Sequence, residues 1–238
     1  MAVITEDNIK RIILEKYNIA KNSVIKLEKS AEYAAVSNRI PNYDAEKMDF
    51  GTYNKNHFVA LFADMRGSSR RAEEIGPIGT FLTIHTLMPG LIYIVENYGG
   101  YVIDLPGDGI MALFKENRKR IQWSVSKEYL NPEELAFSAG EDILTLMLNV
   151  VNGILNNDNI PPVKFGVGID SGECIVTKTG IDSIFDTKAI GTCINNAAKR
   201  SGGDNEIWIS ENTTSKLQNG LKNKLTKNNG QPWFYKKY

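Results

Sequence analysis

The sequence predicts an α+β protein with a ferredoxin-like core, an antiparallel sheet carrying helices on one face. Three observations lead there. Apolar runs of strand type and two long helical stretches alternate in the order β-α-β-β-α-β. The second and third strands are separated by Pro106-Gly107-Asp108-Gly109, a tight-turn sequence that makes them a hairpin. A chain of 238 residues that is 42% hydrophobic also has apolar material for one substantial core and an appendage.

The elements follow in order. Residues 1–56 differ from the rest and read as an appendage, an N-terminal helix and an irregular connector. Ile9, Ile12, Ile13 and Tyr17 recur at helical spacing, so the start predicts one amphipathic helix. From Asn38 to Asn56, Pro41, Gly51 and several Asn predict the connector. The main domain, 57–238, opens with HFVALFAD (57–64), an apolar strand that ends at Asp64. A helical region runs to about Asn97, with a bend expected near Pro89-Gly90. YVIDL (101–105) and IMALF (110–114) are the hairpin strands. Asn131-Pro132-Glu133-Glu134 has the acidic first turn of a second long helix. VKFGVGID (163–170) is a further strand, and ECIVTKTG (173–180) is expected to return from it. A helix is expected from about Thr192 to Gly202-Gly203, then a strand EIWIS (206–210) and a closing strand around Trp233-Phe234-Tyr235.

Composition narrows the function classes. The 28 basic and 28 acidic residues cancel, so the chain lacks the broad positive field that draws nucleic acid or an anionic membrane. The most apolar helical stretch, Ile143 to Leu155, is too short to cross a bilayer and is interrupted by Asn149 and Asn152. Cys174 and Cys193 make neither a metal-ligand pattern nor a disulfide framework, and with no secretory leader a reducing cytoplasm is the expected location. Two histidines, His57 and His85, do not make a His-based metal site.

The chemistry-bearing residues are carboxylates and glycines. Asp64 ends the first strand in FADMRGSS, and Asp108 sits in the hairpin turn PGDGIMALF. Neighbouring strands could bring both carboxylates to one sheet edge, where they repel unless a positive charge lies between them. Hard divalent cations such as Mg²⁺, shared with phosphate oxygens, suit that arrangement. Singly, Asp64 also reads as a helix cap and Asp108 as a turn residue. Their surroundings favour a ligand. Met65, Arg66, Gly67, Ser68 and Ser69 occupy a strand-to-helix junction whose free N–H groups can cradle phosphate, and Gly107 and Gly109 clear the space around Asp108.

Four segments, in this order, resemble the class III nucleotidyl cyclases, the family of adenylyl and guanylyl cyclase domains. They are FVALFADMRGSS, YGGYVIDLPGDGIMALF, VKFGVGIDSGE and AIGTCINNAAKR, and the similarity covers roughly residues 57 to 236. The resemblance implies an antiparallel head-to-tail homodimer whose two active sites each combine both subunits. It implies that Asp64, Asp108 and the carbonyl of Met65 hold two divalent cations, Mn²⁺ or Mg²⁺. These activate the ribose 3′-hydroxyl of a nucleoside triphosphate for attack on the α-phosphate, and pyrophosphate leaves. Arg66, Gly67, Ser68 and Ser69 would bind phosphate, and Lys227 matches a lysine for the terminal phosphates. Asn195 matches the asparagine that orients the ribose. The transition-state arginine then falls on Lys199, with Arg200 one place later. A one-residue shift would give Asn196 and Arg200 instead. Asn195 with Arg200 is the preferred assignment, because a guanidinium fork suits phosphate oxygens.

The resemblance also gives the two base-reading positions, which are Asp104 and Lys188. Neither fits the adenylyl pattern. A carboxylate at 104 could accept from uracil N3–H or cytosine N4–H₂, and Lys188 could donate to a ring carbonyl. Guanine offers a donor edge too, so GTP stays open on these two alone. Tyr43 or Tyr53 could narrow the pocket, or simply pack. The chain is similar overall to the stand-alone pyrimidine cyclases of the bacterial Pycsar anti-phage system, which make cyclic UMP or cyclic CMP and act with a separate cyclic-nucleotide-activated effector. UTP is the expected substrate ahead of CTP. The rivals are a purine cyclase, a silent cyclase-like regulatory domain, and a diguanylate cyclase, whose GG(D/E)EF-type hairpin is here GDGIM. Arg70 and Arg71 read as a solvated helix face, and Trp208 and Trp233 as buried or interface strand residues.

Overall fold

A computed structural model describes residues 6–25, 40, 43–116 and 130–238. The helices are α1 (Glu6–Ile25), α2 (Ser68–Asn97), α3 (Pro132–Leu146), α4 (Asn152–Asn156), α5 (Thr192–Arg200), α6 (Glu211–Ser215) and α7 (Asn219–Lys222). The strands are β1 (Tyr53–Met65), β2 (Tyr101–Asp104), β3 (Ile110–Phe114), β4 (Phe165–Ile181), β5 (Ile184–Ile190), β6 (Glu206–Ser210), β7 (Thr226–Lys227) and β8 (Trp233–Lys237). The sheet order is β2-β3-β1-β4-β6-β8-β7, with β5 paired to β4 off that path.

The first four strands form the expected ferredoxin-like core, because each pairs antiparallel with its neighbour. Alternation divides β1 between two faces. Val59, Leu61 and Ala63 are fully buried with Leu87, Leu91 and Ile94 of α2 and Phe137 and Ile143 of α3. Ile13 and Tyr17 of α1 join that core. Phe58 and Ala60 face the other way, against Cys193, Ile194 and Ala197 of α5. Helices therefore cover both faces, α1, α2 and α3 one and α5 the other, where the sequence predicted helices on one face only. Beyond the core, β6 runs parallel to β4.

Several expectations shift in detail. The first strand begins at Tyr53, ahead of His57. The break in α2 falls at Gly76 (φ 68°, ψ −179°) rather than near Pro89. Pro77 disfavours helical geometry in the residue before it, and glycine alone tolerates that φ without strain. Gly90 has a packing role, since a Cβ there would lie 2.5 Å from Leu146 Cδ2 and 2.9 Å from Ile13 Cδ1. Residues 163–170 and 173–180 are not two strands. They belong to one continuous strand, β4, and the strand that returns is β5. Of the expected connector, Pro41 lies outside the described residues, while Ala45–Lys47 form a 3₁₀ turn capped by Asp44. Among the described residues α2 is the one helix long and apolar enough to cross a membrane, and it is built into the core.

Candidate active site

The two aspartates meet at the end of β1. Ala63 pairs with Ile110 of β3, and Asp64 pairs with Gly166 of β4. The β2–β3 turn closes through Gly109 N–H donating to the Pro106 carbonyl at 3.1 Å. It lies directly on β1: a Cβ at position 109 would sit 2.8 Å from the Ala63 carbonyl oxygen and 2.9 Å from Asp64 Oδ1. Glycine at 109 is thus what lets Asp108 approach Asp64. Burial, then the charge of Asp108, pushes the Asp64 carboxyl above the usual carboxylate range. Burial pushes Asp108 up as well, although the Ser68 side chain hydrogen-bonds it. Asp108 Oδ2 is buried with no hydrogen-bond partner among the described residues.

Two close carboxylates with raised pKa and an orphaned buried oxygen fit a cation. No cluster of three or more His, Cys, Asp or Glu side chains suited to a metal occurs among the described residues. A cation here would complete its shell with carbonyl, water and ligand oxygens, the habit of Mg²⁺.

The adjoining loop has the character of an anion cradle. Gly67 takes the left-handed conformation (φ 66°) and caps α2 without a side-chain bond, which leaves the first amides of that helix for a ligand. Arg71 N–H closes the first turn onto the Gly67 carbonyl at 2.9 Å. Ser68 is half-buried and Ser69 exposed. The Arg66 guanidinium engages Asp204 at 3.3 Å, and Lys164 binds the same carboxylate at 3.1 Å. Arg70 pairs with Glu74 at 2.9 Å on an exposed helix face. Arg71 is not solvated as expected. It is half-buried and donates to the Pro161 and Pro162 carbonyls.

The second group of residues sits on α5. This helix lies on the face shared by Phe58, Ala60 and, by alternation, Asp64. Its close approach needs Gly166 and Gly168. Cβ atoms there would lie 2.1 Å from the Ser201 carbonyl oxygen and 2.0 Å from that of Ala197. Asn195 and Lys199 are exposed, one helical turn apart. Asn196 turns inward and donates from Nδ2 to Asp170 Oδ2 at 2.9 Å. Arg200 shares the Asn196 side of the helix. It donates to Gln231 Oε1 at 2.7 Å and lies over the Trp233 ring, 5.1 Å from its centroid. Helical spacing therefore pairs Asn195 with Lys199, and Arg200 is about 140° round the axis from Asn195.

The remaining candidates are dispersed. Lys227 pairs with Glu211 at 3.0 Å on the β7 edge. Asp104 is exposed at the end of β2, with one oxygen accepting from Leu105 N–H at 2.8 Å. Lys188 is bound to Asp186 at 2.7 Å. It pairs with Thr177, whose other neighbour is Tyr53, at the opposite end of β1 from Asp64. No hydrogen bond or ion pair joins Asp104 to Lys188 among the described residues. Tyr43 packs against the cluster of Phe58, Ala60 and α5 and meets Asn56 through its hydroxyl, while Tyr53 is exposed.

No protein-family model matches the chain. Curated relatives do. An adenylate cyclase of Anabaena cylindrica is 23% identical over 158 residues, 66% of this chain and 29% of the relative. A cytidylate cyclase of Escherichia coli is 22% identical over 81% of this chain and 42% of its own length. A uridylate cyclase of Rhodovulum sp. (strain MB263) is 26% identical over 59% of this chain and 56% of its own length. The chain thus spans 29% to 56% of these relatives. Among solved structures, the adenylyl cyclase CyaB from P. aeruginosa superposes with a TM-score of 0.62 at 21% identity, over 77% of this chain and 94% of that one. A class III adenylyl cyclase-like ATP-binding protein from Pseudomonas aeruginosa gives 0.63 at 16% identity, over 86% of this chain and 44% of that one.

The fold is that of a class III nucleotidyl cyclase, and the chain resembles pyrimidine cyclases. In this cyclase fold, sequence reasoning overlooked the buried polar layer beneath α5. Asp170, only 6% exposed, accepts from Asn196, from Ser210 Oγ at 2.5 Å and from Ser171 N–H at 2.8 Å. The available signal was the Gly166-Val-Gly168 run before it. Two glycines on one strand face call for a close backbone neighbour, and a polar residue next on that face sits under the same neighbour.

Proposed function

We propose that this protein is a pyrimidine nucleotide cyclase, converting UTP, or CTP, to the 3′,5′-cyclic nucleotide and pyrophosphate. The observation that carries the reading is the apposition of Asp64 and Asp108 with an unpartnered buried oxygen on Asp108. The fold by itself does not decide for catalysis, since one structural neighbour is described only as ATP-binding. Two mutually repelling half-buried carboxylates suit a metal–nucleotide site, and turnover is what separates a cyclase from a domain that only binds. Two of the three curated relatives, a cytidylate and a uridylate cyclase, act on pyrimidine nucleotides and the third is an adenylate cyclase; the exposed carboxylate at Asp104, where adenylyl enzymes carry a lysine, speaks against ATP.

Asp64, Asp108 and the Met65 carbonyl would hold two divalent cations, Mn²⁺ or Mg²⁺, which when bound supply positive charge at the phosphates and acidify the ribose 3′-hydroxyl. The protein's own groups do the rest. The open amides after Gly67, with Ser68 and Ser69, hold phosphate oxygens, and Arg66 and Lys227 exchange their present carboxylate partners for phosphate. Asn195 orients the ribose. Lys199, on the same face of α5, meets the charge that develops on the phosphates, and Arg200 would join it only by leaving Gln231 and Trp233. Lys188 stands at the opposite end of β1 from the Asp64 of its own chain, which favours a homodimer in which each site draws Asp64 and Asp108 from one subunit and Lys188 and Asn195 from the other. The unbridged thiols of Cys174 and Cys193, 3.3 Å apart, suit a reducing cytoplasm. Its product would act as a second messenger on a separate effector in anti-phage defence.

Incubation with Mn²⁺ or Mg²⁺ and each of ATP, GTP, CTP and UTP, with products identified by mass spectrometry, tests the reading. Cyclic UMP or cyclic CMP is expected. Cyclic GMP or cyclic AMP would overturn the base assignment and keep the chemistry, and absence of any cyclic product, with metal and nucleotide shown to bind, would overturn the enzyme reading.

A further inference from the structure

We infer that Asp170 is a positioning residue, which through Asn196 fixes the rotation of α5 and hence the presentation of Asn195 and Lys199 to the nucleotide. The inference rests on the cyclase reading above. Asp170 lies in the middle of β4, and none of its contacts is explained by capping or by an ion pair. Oδ1 accepts from Ser171 N–H and Ser210 Oγ, and Oδ2 accepts from Asn196 Nδ2. Ser210 and Thr213 hydroxyls meet at 2.8 Å, and Thr213 Oγ1 donates to Ser171 Oγ at 3.0 Å. Asn212 Nδ2 donates to the Ser171 carbonyl at 3.0 Å. The carboxylate thus sits at the centre of a network joining β4, β6, α6 and α5.

A buried carboxylate is costly to desolvate and is tolerated only where its oxygens are well bonded. That cost secures orientation. Gly166 and Gly168 let α5 lie flat on β4 through the Ala197 and Ser201 carbonyls, one turn apart on a single helix face. The apolar contacts of Cys193, Ile194 and Ala197 are non-directional. The Asp170–Asn196 bond is directional. By pointing Asn196 inward it turns Asn195, one residue earlier, and Lys199, one turn on from Asn195, to the exposed side. A rotation of α5 by one residue would exchange Asn195 for Asn196 at the surface, the ambiguity present in the sequence itself.

The test reverses the hydrogen bond. Asn196→Asp sets one carboxylate against another and removes the donor. Asp170→Asn alone is mild, because the Asn196 amide can turn over to offer its oxygen. The double variant Asp170→Asn/Asn196→Asp restores a donor and an acceptor in exchanged places. With the nucleotide that the wild type cyclises, Asn196→Asp is expected to lower kcat about tenfold or more with KM within about threefold, and the double variant to return kcat to within about threefold of wild type. Should Asn196→Asp be recovered unfolded, Asn196→Leu, which deletes the donor without adding charge, is expected to show the same loss of kcat. Unchanged kcat in the single variant, or a double variant no better than the single one, overturns the inference while wild-type turnover upholds the cyclase reading. A wild type that cyclises none of the four triphosphates overturns both.

Discussion

At the scale of single residues, the aspartate pair is expected to give the protein a pH dependence and, on the proposed reading, its response to metal. Burial, and for Asp64 the charge of Asp108, raises both carboxyls above their ordinary range. An acid raised on folding contributes stability that is complete below its unfolded pKa and is lost as the pH climbs through the folded value. The metal-free protein should therefore lose stability as the pH rises out of the ordinary carboxylate range. Asp64→Asn and Asp108→Asn should remove that loss and melt at or above the wild-type temperature at neutral pH. Mn²⁺ should raise the wild-type Tm and leave both variants nearly unmoved, which thermal melts with and without metal will read. Turnover in Asp64→Ala or Asp108→Ala is expected to fall by at least about a hundredfold, and a variant with wild-type kcat would refute the assignment.

Individual elements carry the packing that brings these groups to their places. In β4, Gly168 admits the carbonyl of Ala197, and Gly168→Ala forces α5 off the sheet. A cost of about 1–3 kcal/mol is expected from this overpacking, with a fall in kcat, readable by denaturant melts and steady-state kinetics. In α3, Glu141 ties the C-terminal segment to the core through Lys224 after α7, Lys236 of β8 and Tyr238. Burial alone would raise its carboxyl, but Lys236 and Lys224 outweigh burial and hold it low. Its stabilisation is present above the ordinary glutamate pKa and is lost as the pH falls through the lowered value. Glu141→Gln should cost about 2 kcal/mol at neutral pH, a difference that should shrink in acid.

For the molecule as a whole, the separation of Lys188 from its own Asp64 along β1 makes the dimer a functional question. Asp64→Ala and Asn195→Ala should each be inactive alone. Mixed in equal amounts and allowed to exchange subunits, they should recover roughly a quarter of wild-type turnover. Half the dimers are then hybrids, and each hybrid has one intact composite site. Failure to complement, with hybrids demonstrated by native mass spectrometry, would place a complete site within one chain.

The sequence by itself determined the βαββαβ order, the hairpin carrying Asp108, the first strand with Asp64 near its end and the resemblance to the cyclase family. Each is a local pattern of apolar spacing and turn residues, legible without knowledge of what lies across the sheet. Where a signal was local but ambiguous, the reading slipped. Gly76-Pro77, not Pro89-Gly90, breaks α2, and one long strand stood where two were expected because β1 pairs with it unbroken from Phe165 to Thr177 and its polar Asp170 is bonded by Asn196 and Ser210. Only the tertiary structure decided which of Asn195 and Asn196 faces outward, that Arg200 is held by Gln231 and Trp233, and that Asp170 anchors the helix between them. Those outcomes depend on contacts between residues far apart in the chain, 170 with 196 and 200 with 231. Helical periodicity supplies the angle between two neighbours, but the absolute rotation of a helix is set by what lies beneath it.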